Sequence, residues 1–203
     1  MSTSFFQIGE QRSFRILRMR SEDGTNRLTR CRVLALTAEI ERLAHEPLPL
    51  VITGNDRFFS AGAELGEIAA LDGPSAYEFS KMGQALMSEI ECFPAPVYAA
   101  ISGYCMGGGL DLALACHHRI ASPTAVFGHR GAALGLITGW GGTQRLPRLI
   151  GKGQALEMFV AAAKVSAQQA LDLRLVDALA PDPVTLAVQR IMAGTSCDSV
   201  VAE

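Results

Sequence analysis

A run of three glycines stands just before the first charge of an apolar segment. Gly107, Gly108 and Gly109 precede Asp111 within residues 103–118. Glycine loses more backbone entropy on folding than other residues, so three in a row indicate a special requirement on the backbone. If the run opens a helix, the amides of its first turn point to one place and favour a negatively charged oxygen. The alternative is that the glycines allow a helix to pack closely on a sheet.

Other well-known loops for phosphates, dinucleotides or nucleophiles are excluded by spacing. Gly151-Lys152 has no glycine five residues earlier, so it is not a Walker loop. Gly139–Gly141 continues to Gln144 where a dinucleotide fingerprint needs its third glycine. The GxSxG pattern of a nucleophile elbow does not occur. What remains is a strand, a turn, three glycines and a helix.

Strands and helices alternate along the chain, which is typical of an α/β domain. They are predicted from the spacing of apolar residues and from capping signals. The predicted strands are 13–19, 50–53, 97–102, 118–122 and 125–128, with a last strand or its approach at 174–179; the predicted helices are 29–45, 74–91, 110–116, one that opens at the Ser166/Gln169 capping box, and 184–193. The glycine-rich stretch from 131 to 151 is predicted to be mainly loop. We therefore expect a single α/β domain over residues 1–203.

Composition and charge narrow the classes of protein. The chain has 203 residues, 49% hydrophobic and 19% charged, which favours a folded core over disorder. Its net charge of −2 and its scattered basic residues give no sign of nucleic-acid binding. No apolar run reaches the ~18 residues of a membrane span, and residues 1–13 lack the pattern of a signal peptide. Five cysteines without a CxxC pair indicate reduced thiols, so we expect a soluble, cytoplasmic protein.

Several segments resemble the enoyl-CoA hydratase/isomerase superfamily, also called the crotonase superfamily. They are "VITGNDRFFSAGAEL" (51–65), "APVYAAISGYCMGGGLDLALACHHRIAS" (95–122), "GLITGWGGTQRLPRLIGKGQALEM" (135–158) and "VSAQQALDLRLVDAL" (165–179), with a weaker match at "TNRLT" (25–29). The segments follow the order of the family and cover most of residues 13–180. The first two motifs together are specific, although neither is specific alone.

The resemblance implies a crotonase-like (ClpP/crotonase) spiral of ββα units, in proteins that usually assemble as trimers or pairs of trimers. It implies an acyl-CoA substrate, with coenzyme A entering as part of the thioester and no separate cofactor. In the family's pattern, the amides of Ala63 and Gly108 donate to the thioester oxygen, and Gly107 is a further contact. The backbone of Ala61, Ala63 and Leu65 borders the adenine end of coenzyme A. The helices that follow residue 193 in the family are expected to be shortened or absent.

The resemblance also assigns two acid positions, of which only one holds an acid. The first, three residues after the middle glycine, is Asp111, and the second, twenty residues further on, is Gly131. Hydration of an enoyl thioester is best served by two carboxylates, one for water and one for the second proton. Aspartate is also shorter than glutamate by about 1.5 Å, which disturbs a reactive geometry. We expect inefficient hydration, with Asp111 as a single base, as a residue that orients water, or only as a partner of the helix dipole.

Further candidates each have a structural alternative. His129 is a candidate acid or base because the ordinary pKa of a histidine lies near neutrality, or it is a loop histidine bonded to backbone. Arg57 is a candidate for the phosphates of coenzyme A, or a solvated turn residue. Trp140 and Thr138 are candidates for the acyl pocket, although core packing is the ordinary role of a tryptophan.

Three histidines near Asp111 raise the question of a metal site. Their spacing, D-x5-H-H-x10-H, matches no common set of ligands. Adjacent histidines on a strand point to opposite faces, which argues against His117 and His118 binding one ion. We therefore predict no metal site.

Three hypotheses on function follow. The first is an enzyme that stabilises an enolate-type intermediate of an acyl-CoA thioester, with hydratase or isomerase action as the nearest class. The second is hydrolysis or decarboxylation of an acyl-CoA. The third is a CoA-binding subunit with impaired catalysis, which the missing second acid suggests. One fold hosts many activities, so the fold does not choose among them.

Overall fold

Short strands and helices alternate along residues 5–197, the part of the chain that the computed structural model describes. The strands are β1 (Phe6–Glu10), β2 (Arg15–Met19), β3 (Leu50–Thr53), β4 (Phe58–Ser60), β5 (Val97–Ile101), β6 (Tyr104–Met106), β7 (His118–Ala121), β8 (Val126–Gly128), β9 (Val165–Ser166) and β10 (Ala178–Leu179). The helices are α1 (Arg30–Ala44), α2 (Leu65–Ala69), α3 (Gly73–Glu91), α4 (Gly108–Ala115), α5 (Gly142–Ile150), α6 (Lys152–Ala161), α7 (Ala167–Asp172) and α8 (Pro183–Cys197), with a 3-10 turn at Gly131–Leu134. The ends of the predicted domain, 1–4 and 198–203, lie outside the described residues.

Successive turns of the chain contribute one strand to each of two sheets. The larger sheet has the strand order β1-β2-β3-β5-β7-β10, and the smaller has the order β4-β6-β8-β9. The neighbours β3, β5 and β7 are parallel, and so are β4, β6 and β8. In each of these turns a strand of the large sheet is followed by a strand of the small sheet and then by helix. This repeat is the spiral of ββα units that the resemblance implies.

The apolar pattern of the sequence accounts for the central elements. All four residues of β3 are buried, because Leu50 and Ile52 pack in the main core while Val51 packs with α8 on the other face. The side chain of Thr29 caps α1 and accepts from Arg32 N. The buried apolar stripe of α1 consists of Val33, Leu36, Ile40 and Leu43. The capping box at the start of α7 has both of its hydrogen bonds. The predictions for these elements are confirmed.

The glycine-rich stretch contains more helix than the sequence predicts. Residues 142–150 form α5, so the prediction of a loop through residue 151 is wrong. The glycines with left-handed φ lie at helix boundaries: Gly141 (φ 103°) precedes α5, and Gly151 (φ 88°) lies between α5 and α6. They therefore separate helices without preventing them. The strands β4 and β6 have three residues each, too few for a hydrophobic period, and the sequence does not predict them.

The adjacent histidines both have structural partners. His117 Nδ1 accepts from Val97 N at 2.8 Å, and His117 Nε2 lies 3.1 Å from Glu91 O. His118 stacks on Tyr98 with ring centroids 4.6 Å apart. These contacts tie the start of β7 to β5 and to the end of α3.

Two expectations from composition concern thiols and membranes. The free thiols are Cys31, Cys92, Cys105 and Cys116, whereas the side chain of Cys197 lies outside the described part. Between residues 5 and 197, no helix combines the length and the apolar character that crossing a bilayer requires.

Gly83 gives a test of how α3 packs, because its replacement by alanine should lower stability. Alanine normally stabilises a helix interior by up to about 1 kcal/mol relative to glycine. Here a β-carbon at Gly83 would overlap the indole of Trp140, so we expect Gly83→Ala to cost about 1–3 kcal/mol. Denaturant unfolding measures the effect. The control is Gly153→Ala in α6, where a β-carbon meets nothing within 4 Å. A stabilised Gly83→Ala variant would show that this packing is wrong.

Candidate active site

Two backbone turns meet where β4 and β6 end. The strands are parallel, with Ser60 opposite Cys105, so their carboxyl ends lie at the same edge of the small sheet. A β-carbon placed on Gly108 would lie 3.4 Å from Ala63 N, and one placed on Gly62 would lie 3.2 Å from Gly108 N. The turn after β4 and the first turn of α4 are therefore in direct backbone contact.

Of the consecutive amides from 61 to 64, Ala63 N alone is without an acceptor among the described residues. The others are bonded: Ala61 N to Thr25 O at 2.9 Å, Gly62 N to Ser60 Oγ at 3.1 Å, and Glu64 N to Leu28 O at 3.4 Å. Amides next to a buried core are nearly always paired. An unpaired amide between paired neighbours is available to a ligand.

The glycine run supplies a second amide of this kind. Gly107 N donates to Gly128 O at 2.9 Å, and Gly107 adopts φ 51°, which glycine tolerates best. α4 begins at Gly108, whose N–H has no acceptor within the described chain, as expected at the start of a helix. A β-carbon on Gly108 would lie 2.5 Å from the Trp140 ring. The structure thus brings together the two amides that the resemblance singles out, with no room for a side chain at 108.

Asp111 lies one helical turn beyond Gly108 and is almost fully buried, with 1% of its surface exposed. The Thr138 hydroxyl donates to Asp111 Oδ2. His129 Nε2 lies 3.5 Å from Asp111 Oδ1, and neither of these two buried atoms has a well-formed hydrogen bond. A β-carbon at Gly142 would overlap Asp111 Oδ1, so glycine there makes room for the carboxylate.

Burial moves the pKa values of this pair in opposite directions. It raises the pKa of Asp111 to about 7, against the opposing effects of the Thr138 hydroxyl, Arg145 and the Gly142 amide. It lowers the pKa of His129 to about 4. At neutral pH His129 is therefore an uncharged ring, and Asp111 exchanges between its ionised and protonated forms. A carboxyl group with a pKa near 7 suits proton transfer.

Position 131 has no space for the side chain of a second acid. A β-carbon at Gly131 would lie 2.7 Å from Leu136 O, and Leu136 N donates to Gly131 O at 2.9 Å. The loop thus closes on itself at the position that the resemblance assigns to the second carboxylate. Glycine at 131 fits a tight backbone contact.

The remaining predicted residues differ in how deeply they are buried. Trp140 is buried in the main core, and its indole N–H donates to Phe79 O at 3.2 Å. Ala61 is tied to Thr25 through its amide, as described above. Leu65 is exposed at the start of α2. Arg57 is exposed and lies before β4, at the end of that strand opposite Ala63, with its guanidinium 6.0 Å from the Phe58 ring.

Sequence reasoning missed the roles of Thr138 and Gly142. The sequence suggests Thr138 only as a lining residue, whereas its hydroxyl donates to Asp111. Gly142 shows no signal beyond the general abundance of glycine in this stretch. Both residues lie about thirty positions from Asp111, so their contacts depend on how α5 packs on α4.

Comparisons with known proteins give consistent results. Residues 15–196 match the family described as Enoyl-CoA hydratase/isomerase. A "Probable enoyl-CoA hydratase" of Bacillus subtilis (strain 168) is 47% identical over 134 residues, 66% of this chain and 52% of that protein. The structure of Pseudomonas aeruginosa DspI is 32% identical with a TM-score of 0.89, and the match covers 94% of this chain and 74% of that one. Enoyl-CoA hydratase from Bacillus anthracis is 32% identical with a TM-score of 0.85, over 94% and 74% of the two chains. The chain spans about half the length of its Bacillus subtilis relative.

The raised pKa of Asp111 predicts that Asp111→Asn is more stable than the wild type at high pH. Protonated Asp111 contributes to the stability of the folded state. This contribution is fully present below the unfolded pKa of ~3.9 and is lost as pH rises through the folded pKa of about 7. Three pKa units correspond to at most about 4 kcal/mol. We expect the gain of Asp111→Asn to be near zero at pH 4 and largest at pH 8, by denaturant unfolding. Glu78→Gln on the exposed face of α3 is the control, and an Asp111→Asn gain that does not change with pH would contradict the prediction.

Proposed function

We propose that this chain, which belongs to the enoyl-CoA hydratase/isomerase (crotonase) family, binds an acyl-CoA thioester and stabilises an enolate-type intermediate of it. The observation that carries the proposal is the pair of unbonded amides at Ala63 and Gly108. Removal of a proton beside a thioester, or addition to its conjugated double bond, places negative charge on the carbonyl oxygen. Two fixed N–H donors favour that charge, and loss of one such donor in other enzymes costs about 10²–10³ in rate.

We assign proton transfer to Asp111. It lies three residues after Gly108 on α4, and residues at that spacing share one face of a helix, with β-carbons about 5–6 Å apart. We propose that a thioester whose oxygen is held at Gly108 N brings the α-carbon of its acyl group near this carboxylate. The ionised form takes a proton from the acyl chain, and the protonated form returns one. The Thr138 hydroxyl donates to the carboxyl group and holds it in place, with the neutral His129 ring beside it.

A single acid favours proton relocation over hydration. Moving a proton between two carbons of an enoyl thioester needs one group that accepts and returns it, whereas hydration needs water and a second proton donor as well. The closed loop at Gly131 offers no second carboxylate. We therefore expect isomerisation between 2-enoyl and 3-enoyl thioesters to exceed hydration.

Turnover of acyl-CoA thioesters tests the proposal directly. Wild-type protein and the Asp111→Asn variant are each incubated with a 3-enoyl-CoA and with crotonyl-CoA. We expect the variant to lose most of the activity while it still binds the thioester. Since Asp111 acts as a base, kcat/KM of the wild type should rise with pH and level off above about 7. Release of free coenzyme A would instead favour hydrolysis, and binding without turnover would favour a CoA-binding subunit. Equal activity of Asp111→Asn and wild type would remove Asp111 from the mechanism.

Introducing an acid at position 131 should not produce an efficient hydratase. In Gly131→Glu the new side chain meets the backbone of Leu136, so the loop must open and stability should fall. We expect no gain in crotonyl-CoA hydration and a lower Tm. Ala132→Glu, at the exposed neighbouring position, is the matched control and should leave Tm unchanged. A rise in hydration of about tenfold or more in Gly131→Glu would contradict the proposed role of the loop.

A further inference from the structure

The segment 25–28 runs beside the turn that carries Ala63. Leu28 and Ala63 form a parallel bridge, with Leu28 N donating to Gly62 O at 2.8 Å and Glu64 N donating to Leu28 O at 3.4 Å. In this parallel bridge, Leu28 bonds to Gly62 and Glu64, the residues before and after Ala63, and not to Ala63 itself. The amide of Ala63 therefore points away from Leu28, toward the first turn of α4. Its direction depends on the register between segment 25–28 and this turn.

Asn26 fixes that register from within segment 25–28. Its side chain is fully buried, and its Nδ2 donates to Phe58 O at 3.1 Å and to Phe59 O at 3.3 Å. Its φ of 50° is left-handed, a conformation that asparagine adopts more easily than most residues. Two donors from one side chain thus hold two consecutive carbonyls of β4. A shift by one residue would break both bonds.

Ser60 links the same segment to both halves of the candidate site. Its hydroxyl donates to Asn26 O at 2.8 Å and accepts from Gly62 N at 3.1 Å. A β-carbon placed on Gly109 would lie 2.6 Å from Ser60 Cβ, so Ser60 packs directly on the first turn of α4. One fully buried side chain therefore contacts the residue before Ala63 and the residue after Gly108.

We propose that Asn26 and Ser60 are positioning residues that hold the Ala63 amide, in register with Gly108, at the oxygen of a bound thioester. This inference rests on the proposed function. Neither side chain touches the substrate in this arrangement, since both are buried behind the backbone turn. Their contribution is to the geometry of a donor, and a displacement of about 1 Å in such a group costs on the order of 10²-fold in rate.

The test compares Ser60→Ala and Asn26→Gly with wild type. Ser60→Ala removes only the hydroxyl, and Asn26→Gly removes the two donors while keeping a residue that accepts a positive φ. The probe is a donor-substituted cinnamoyl-CoA, whose absorption moves to longer wavelength when its carbonyl oxygen accepts hydrogen bonds. We expect both variants to lose most of that spectral shift. We also expect their kcat on a 3-enoyl-CoA to fall about 10²-fold, with KM changed far less.

Thr53→Val is the matched control, because the buried Thr53 hydroxyl donates to Ala100 O at 2.8 Å in the large sheet, away from the two amides. It should lower Tm and leave the shift and kcat unchanged. A full shift and full kcat in both test variants would overturn the inference while leaving the proposed function intact. An equal loss in Thr53→Val would overturn it as well, since a general loss of stability would then suffice. No shift in the wild type would refute the proposed function and the inference with it.

Discussion

The parallel pairing of β4 with β6 is the constraint on which the candidate site depends. It places the ends of two strands side by side, so that the turn at Ala63 and the start of α4 at Gly108 come into backbone contact. Buried N–H groups without acceptors are rare in folded proteins because the lost hydrogen bond to water is not replaced. At the half-buried Ala63 and Gly108, a ligand can supply the acceptors that the described chain does not. The register of the small sheet therefore accounts for the pair of unpaired amides on which the proposed binding site depends.

Glycine and small residues make this contact possible at a few defined points. A side chain at Gly108 would meet Trp140, one at Gly109 would meet Ser60, and one at Gly142 would meet Asp111. In each case the missing β-carbon lets a backbone segment approach a functional or supporting side chain. The close helix–sheet packing that the glycine run suggests and the exposure of an amide are therefore parts of one arrangement.

The sequence predicts the large elements better than the contacts that define the site. β3 was predictable at 50–53 because three consecutive apolar residues precede Thr53, and all four are buried; α1 was predictable because its apolar stripe has helical spacing. Asp111 and Gly108 stand out because a glycine run before an acid is unusual in local sequence. Ala63 has no such local signal and is found only through the resemblance. The bonds of Asn26 to Phe58 and Phe59 join residues more than thirty positions apart, and no periodic pattern encodes them.

In the proposed reaction, the buried acid and the two amides have complementary effects on the same charge. When Asp111 accepts a proton it loses a negative charge that burial had made unfavourable, which is why its pKa rises to about 7. In the proposed reaction the same step creates a negative charge on the thioester oxygen, to which the unpaired amides Ala63 N and Gly108 N are the proposed donors. The total charge of the site is unchanged, but it moves from a poorly solvated carboxylate to an oxygen with two fixed donors. In the proposed reaction, the burial that destabilises ionised Asp111 therefore makes it a stronger base, and the strand register that leaves two amides unpaired stabilises the product.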